Sequence, residues 1–415
     1  MAIILLALLL RVRYLEYIEF RYDEAAVLMR AARVYLDPGH IPLHGMRSSL
    51  GNYGPHGQVY MMLPVVKYTF NPVAAAGYML LFDVAAVFML YILCAVLYTK
   101  RVGYFASLFY AVSPWTVLFG RKIWVNNFMP SLVLCLMISL VALVVYRRSY
   151  HILPALVSLG ILSTLHFTAL VYWGVFIIIY FVFKPPVNYK FLAAGLVFCF
   201  LASSPYLYYE VTHDLYNTRF IVYHMLQPSR FNWVAFTYPL QLVSTMGLEY
   251  SLGGAVGGFT GVSPTVNILC PIIFLVGLLH VIRVKGDGNL IVLVFLAIPF
   301  LLVFLKSQPL IHYMIPSLPV VFLVFGVGLD RVYERLSRVR ESVGVFLIIF
   351  LLMCLFASTL AFQDYILTDP PDTAYGTPYT LQVKGVMEAV ESGDVSGVNG
   401  TVTGRYILYN VLGVD

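Results

Sequence analysis

The sequence predicts an all-α protein that crosses a membrane many times. Three observations carry this. Of the 415 residues, 60% are hydrophobic and only 11% charged, where soluble domains hold about 25% charged residues. The mean hydropathy is +0.85. Apolar runs of roughly 20 residues, enough to cross a bilayer as a helix, recur from end to end with short connections between them. Aromatic residues make up 15%, with 31 Tyr and 29 Phe, as expected where many helix ends lie at lipid interfaces. The net charge of +6 needs no nucleic-acid partner, since basic loops on one membrane face produce it.

Taken in order, the runs fall at about 2–19, 73–98, 103–119, 124–146, 151–166, 167–183, 191–208, 264–282, 290–305, 313–329 and 343–362, or about eleven spans. The first is short and interrupted by Arg11 and Arg13. Asp83 is the one carboxylate deep in an apolar run, and an unpaired charge there costs several kcal/mol. The sequence therefore predicts that it pairs with Arg11 or Arg13. Met1 to Leu10 has no basic n-region and no small-residue cleavage site, so no removable signal peptide is expected. The five cysteines (Cys94, Cys135, Cys199, Cys270 and Cys354) all lie in apolar runs without metal spacing and read as small core residues.

The connections alternate in character. Lys100-Arg101, Arg147-Arg148, Lys184 with Lys190, Arg283 with Lys285, and Arg331–Arg340 share one side, which the positive-inside rule makes cytoplasmic. The outer face then receives Asp23, the loop at Arg121, the long 209–262 segment, Lys306 and the tail. A span over 232–250 would invert every later loop, so this stretch reads as surface-lying or re-entrant. Gly253-Gly254, Gly257-Gly258 and Gly261 follow it as a loop. Residues 1–362 form the membrane domain. Residues 363–415 are polar and acidic, a small outward segment with one helix (Leu381–Glu391) and a strand pair (Thr401–Leu412) expected.

One stretch organises the rest: Phe20-Arg21-Tyr22-Asp23-Glu24-Ala25, opening a helical segment from Glu24 to Asp37. Adjacent carboxylates at the mouth of a membrane helix are costly unless they face water, a cation or a substrate. Asp23 as an N-cap with Glu24 on the helix dipole would also explain them. On the same face stand Arg121 and Lys122, Lys306, His312-Tyr313 and His166. Carboxylates that abstract a proton, beside cations that meet a phosphate, suit displacement of a phospholipid-linked leaving group. Taken singly, Arg121 and Lys122 could equally snorkel to headgroups, and His166 could be a core histidine.

An ordered set of motifs adds to this. Arg11, Asp23-Glu24, Gly54-Pro55-His56-Gly57-Gln58-Val59-Tyr60, Ser113-Pro114 with Arg121, Thr164-Leu165-His166-Phe167-Thr168 and His312-Tyr313-Met314-Ile315-Pro316 with Pro319 occur in that order. Over about residues 5–330 the set resembles the GT-C membrane glycosyltransferases, in particular the protein O-mannosyltransferase and aminoarabinose-transferase-like branch. The resemblance implies a GT-C-like fold with outer-face juxtamembrane helices. It implies a sugar donor on a polyprenyl phosphate or pyrophosphate, and a catalytic carboxylate in the acidic motif after the first helix. Two departures are visible. Relatives often carry a second acid where this chain has Asn126-Asn127, and some carry a base where it has Tyr53-Gly54.

The expectation is a multi-pass plasma-membrane glycosyltransferase with its active site on the extracytoplasmic face. Asp23 would serve as general base and Glu24 as its partner; Arg121, Lys122, Lys306, His312 and Tyr313 would hold the donor phosphate. His56, Tyr60 and His166 would line the substrate cavity. The acceptor would be a glycan, lipid or protein, and direct displacement would invert the anomeric carbon. A divalent metal is compatible with this reading but not required by it. The rivals are a transporter or lipid flippase, and a non-catalytic glycan-binding subunit. Transporters gather ionisable groups near the midplane, often in repeated halves, whereas the charges here collect at one face.

Overall fold

Arg11 explains why the first helix is short. In the computed structural model, α1 (Ala2–Val12) ends one residue after Arg11, whose buried guanidinium turns inward and pairs with Asp83. Asp83 lies on α4 (Pro72–Leu97), so the predicted ion pair is present, with Arg11 as the partner. Arg13 instead meets Asp364 at 2.7 Å. The structure describes all residues except 38, 49–50, 228–230, 253–259, 299, 302–309, 369–376 and 414–415.

After α1, a left-handed residue at Tyr14 (φ 53°) and a 3-10 turn at Leu15–Tyr17 lead to α2 (Tyr22–Leu36) and α3 (Gly57–Val66). These two helices lie outside the eleven predicted spans. α2 is amphipathic: Ala25, Val27, Leu28, Ala31 and Ala32 are buried along one stripe while Tyr22 and Tyr35 are exposed. After α4 come α5 (Lys100–Val112) and α6 (Pro114–Gly120). The expected single span over 103–119 is broken here by a 62° bend, because Pro114 cannot donate into the preceding turn.

Then follow α7 (Met129–Val144), α8 (Ile152–Leu165), α9 (Val171–Phe183), α10 (Tyr189–Thr212) and α11 (Tyr216–Leu226). The 232–250 stretch is a 3-10 turn and two short helices, α12 (Tyr238–Leu242) and α13 (Leu248–Leu252), rather than a span. The glycines 253, 254, 257 and 258 fall outside the described residues. α14 (Pro264–Arg283), α15 (Asp287–Ala297), α16 (Leu318–Val339) and α17 (Glu341–Thr368) complete the bundle. α16 continues well past its apolar stretch, so the 331–339 arginines sit on a helix instead of a loop.

Six described helices are long and apolar enough to cross a membrane, seven counting α5 with α6, and five further apolar helices are shorter. The bundle core is therefore polytopic and all-α. Among the described residues there is no strand, only two isolated bridges. The tail holds α18 (Tyr379–Ser392), α19 (Ser396–Asn399), α20 (Val402–Arg405) and a π-helical turn over Tyr406–Val411. The expected strand pair is thus helical. Its apolar residues Tyr406, Ile407 and Leu408 are all buried, and consecutive buried side chains suit a helix end wedged between elements better than a strand with alternating faces.

The two ends of the bundle differ. At one end Arg101 meets Asp330 and, at 2.7 Å, Glu334; Arg331 reaches the His280 ring at 3.1 Å. Arg147 donates to the carbonyls of Phe183 and Lys184 at 3.4 and 3.3 Å. The basic connections therefore do gather on one side. The acidic stretch lies at the other.

Candidate active site

The site grows from how α2 begins. Arg21 occupies the N-cap, and Glu24, at the third helical position, reaches back to accept the Arg21 N–H at 2.9 Å. One orphan donor of the helix start is satisfied this way. The other Glu24 oxygen accepts Nε1–H of Trp124 at 2.5 Å, tying α2 to the loop between α6 and α7. Glu24 is fully buried. Burial pushes its carboxyl up to about 7, and the negative charge of Glu19 adds to the rise.

Glu19 was read from sequence as the end of the first span; it is in fact a buried member of this cluster. One of its oxygens pairs with Nζ of Lys122, and the other meets Nε of Arg21 at 3.0 Å. Lys122 also sits 4.2 Å from the Trp124 ring centroid, a cation–π contact. The His312 ring stands edge-on to Trp124 at 5.1 Å, with Tyr313 beside it at 4.6 Å. Trp124 is the hub that sequence reasoning missed. Its only sequence signal was proximity to Lys122.

Asp23 takes the opposite role. A helix advances about 100° per residue, so burying Glu24 turns Asp23 outward, and Asp23 is exposed. Among the described residues it has no hydrogen-bond or ion-pair partner. Partial desolvation raises its pKa above the usual Asp value, against the pull of Arg21. The result is an unpaired carboxylate held at a fixed position by its buried neighbour.

The remaining predicted residues divide. Arg121 is buried and donates to the carbonyl of Tyr14, joining the end of α6 to the end of α1. His56 is buried, its ring 4.9 Å from that of Tyr60 at a near-perpendicular angle. A Cβ at Gly57 would lie 2.4 Å from the Thr164 carbonyl oxygen, so α3 and α8 meet backbone to backbone there. Gln58 on the same helix donates to the Ile123 carbonyl at 3.3 Å, next to Lys122. His166 meets the Thr168 hydroxyl through Nδ1 at 2.8 Å. Lys306 lies outside the described residues.

The tail also reaches this region. Phe20 packs between Tyr379 and Tyr406 at centroid distances of 5.4 and 5.5 Å. The N–H of Tyr379 donates to the Ile18 carbonyl at 2.9 Å, and Gln382 donates to the Phe20 carbonyl. The backbone that delivers Asp23 is thus clamped from outside. Among the described residues no three His, Cys, Asp or Glu side chains converge as a metal site. In particular Asn127 spends its amide N–H groups on the Phe119 and Lys122 carbonyls, each at 2.6 Å.

No protein-family model matches the chain, and no curated protein matches its sequence. Solved structures do match. ArnT from Cupriavidus metallidurans in the apo state aligns with a TM-score of 0.63 and 13% identity, over 94% of this chain and 79% of that one. The same protein bound to undecaprenyl phosphate gives 0.61 and 14%, over 99% and 75%. The Archaeoglobus fulgidus oligosaccharyltransferase, in complex with Zn and sulfate, gives 0.57 and 11%, over 96% of this chain and 56% of that one. At such identities the likeness is one of fold, and the fold of this chain is that of the GT-C membrane glycosyltransferases.

Proposed function

We propose that the protein is a glycosyltransferase that moves a sugar from a polyprenyl-phosphate or pyrophosphate donor to an acceptor on the extracytoplasmic face of the plasma membrane. The observation that carries this reading is the contrast between Asp23 and Glu24: in a GT-C fold, one carboxylate is locked into the frame and its neighbour stands exposed and unpaired. ArnT has been seen with undecaprenyl phosphate, which supports a lipid-linked donor here.

In this reading Asp23 accepts the proton of an acceptor hydroxyl as its oxygen bonds to the anomeric carbon. The bond from that carbon to the phosphate oxygen breaks, its electron pair stays on the oxygen, and the lipid phosphate departs as an anion. One displacement inverts the anomeric centre. The raised pKa of Asp23 favours this role, since a base works best with a pKa nearer the operating pH. Arg121 and Lys122 act mainly on the protein, through Tyr14 and Glu19, so they hold the loop that carries Trp124. His312 and Tyr313 border that loop, and His56, Tyr60 and His166, at the facing ends of α3 and α8, are the candidates to meet the substrate.

The test is transfer by the purified protein from a panel of polyprenyl-linked sugars. Asp23→Asn keeps size and hydrogen bonding while removing the proton acceptor. We expect it to fold normally and lose about 10²–10⁴-fold in turnover. Full activity in Asp23→Asn would reject the assignment, and absence of transfer from every donor would reject the enzyme.

A further inference from the structure

A groove of about 510 Å³ lies at the basic end of the bundle, away from Asp23, and runs between α5 and α17. Lys100, Arg101, Tyr104 and Phe105 line it from α5, a spacing that puts all four on one helix face. Val345, Ile348 and Ile349 line it from α17, at the i, i+3, i+4 spacing of a single stripe. Tyr333 of α16 forms the floor.

Helix packing sets the shape of this groove. The Arg101 guanidinium lies 5.2 Å from the Tyr333 ring centroid, and Phe105 stands edge-on to the same ring at 6.0 Å. A Cβ at Gly344 would lie 2.9 Å from the Tyr333 ring, so α17 closes against α16 just before the groove begins.

The lining holds two cations and no carboxylate. The neighbouring acids are already engaged. Asp330 accepts Nε–H of Arg101, and Glu334 accepts Nη2 of Arg101 at 2.7 Å and Nη1 of Arg331 at 3.0 Å. Among the described residues Nη1 of Arg101 has no bond, and Lys100 is exposed without a hydrogen-bond or ion-pair partner. Lys100 also opens α5, where Thr99 caps the Val102 N–H at 3.1 Å and the helix dipole favours an anion.

Polarity changes with depth. α5 and α17 both start at the basic end, so position along each chain measures depth. Lys100 and Arg101 stand at the mouth, while Phe105, Ile348 and Ile349 lie about 7–12 Å further in, at 1.5 Å per residue. Val345 and Ile349 are 40% and 53% exposed, so the groove opens sideways to the bilayer. A cationic mouth above an apolar channel suits a phospholipid standing in the leaflet. A zwitterionic headgroup would bring its own cation against Lys100, whereas an anionic one would not.

We propose that this groove binds one anionic glycerophospholipid of the leaflet at the basic end, the cytoplasmic one by the positive-inside rule. Lys100 and Nη1 of Arg101 meet its phosphate, and an acyl chain lies against Phe105, Ile348 and Ile349. The inference is independent of the transferase reading.

The test uses the full-length protein, delipidated in neutral detergent, and native mass spectrometry of the bound lipid. The probes are palmitoyl-oleoyl phosphatidylglycerol, phosphatidylcholine with the same chains, and glycerol 3-phosphate. The first phosphatidylglycerol should bind about fivefold tighter than phosphatidylcholine, and glycerol 3-phosphate far more weakly than either. Lys100 and Ile349 are exposed, so Lys100→Gln and Ile349→Trp should keep the lipid-free thermal midpoint. Lys100→Gln should weaken phosphatidylglycerol about fivefold and leave phosphatidylcholine unchanged. Ile349→Trp, which fills the groove, should weaken both lipids. Arg148→Gln, exposed in another basic connection and outside the lining, should change neither. Equal affinity for the two lipids, or an equal effect of Arg148→Gln and Lys100→Gln, would overturn the proposal. Glycerol 3-phosphate binding as tightly as phosphatidylglycerol would overturn its lipid part. If Ile349→Trp lowers the lipid-free midpoint, the comparison of Lys100→Gln with Arg148→Gln still decides.

Discussion

Removing either member of the Arg11–Asp83 pair should damage the protein far more than removing both. Arg11 Nε pairs with one oxygen of Asp83, and the two side chains are 0% and 5% exposed. The guanidinium also donates to the Ala7 and Ala111 carbonyls at 3.1 and 3.0 Å and to Thr116 Oγ1 at 3.4 Å. Tyr110 donates to the second Asp83 oxygen at 2.7 Å. One side chain thus links α1, α4, α5 and α6. Arg11→Met or Asp83→Leu leaves a buried uncompensated charge, a loss of about 3–5 kcal/mol. The double variant removes both charges and leaves only the neutral partners short of a bond, about 1–3 kcal/mol in all. The coupling between the sites should then be roughly 3 kcal/mol or more, against the few tenths expected of independent positions. Unfolding in mixed detergent–dodecyl sulfate micelles, followed by tryptophan fluorescence, measures it. If the losses in the two single variants simply add in the double, the pair is not the joint that fixes the first helix.

Glu24 gives a stability change with a defined sign. Its folded pKa of about 7 exceeds the ordinary glutamate value of 4.5, so its contribution is complete below about 4.5 and is lost as pH rises through 7, about 3 kcal/mol over the window. Glu24→Gln should flatten this part of the plot of thermal midpoint against pH; an unaltered slope would contradict the assignment. Gly277 faces α16 so closely that a Cβ would lie 2.0 Å from the Val324 carbonyl oxygen, whereas a Cβ at Gly174 meets nothing within 4 Å. Gly277→Ala should lower stability by about 1–3 kcal/mol and Gly174→Ala should not, which thermal unfolding in detergent checks. For topology, an impermeant maleimide applied to intact cells should modify Lys384→Cys and spare Arg335→Cys. The reverse pattern would place the acidic cluster in the cytoplasm and remove the outer-face reading.

The long spans were legible because an apolar run is a direct statement about solvent. α4, α10 and α14 fall within a few residues of the predicted limits, and α17 covers its predicted span and continues to Thr368. The Arg11–Asp83 pair was legible for a similar reason, since two charges in neighbouring apolar runs have few other ways to be satisfied. The misreadings share a different cause. α16 runs through Arg331, Arg335 and Arg338 because helix hydrogen bonding is indifferent to leaving the bilayer, so loss of hydropathy marked the membrane edge and not the helix end. Thr401–Leu412 is rich in the β-branched and aromatic residues favoured in strands, yet Phe20 and Phe70 offer it a packing site, with the Tyr406 hydroxyl donating to the Phe70 carbonyl. Glu19 was hidden by the length rule itself, which extended the first run to cover it.

The acidic pair shows why sequence alone could not divide the roles. Asp23 and Glu24 looked interchangeable at the mouth of a helix, and a cap or a base was open to either. The register of α2 separates them. With Arg21 at the N-cap, only the third helical residue can return to the cap N–H, which commits Glu24. The longer Glu side chain then has a second oxygen to meet Trp124, and the indole recruits Lys122, which neutralises Glu19. The two cations of the cluster, Lys122 and Arg21, both pair with Glu19 instead of Asp23. Exposure of Asp23 is therefore a consequence of how well its neighbour is satisfied. A variant that loosens Glu24 should disturb the placement of Asp23 without touching it.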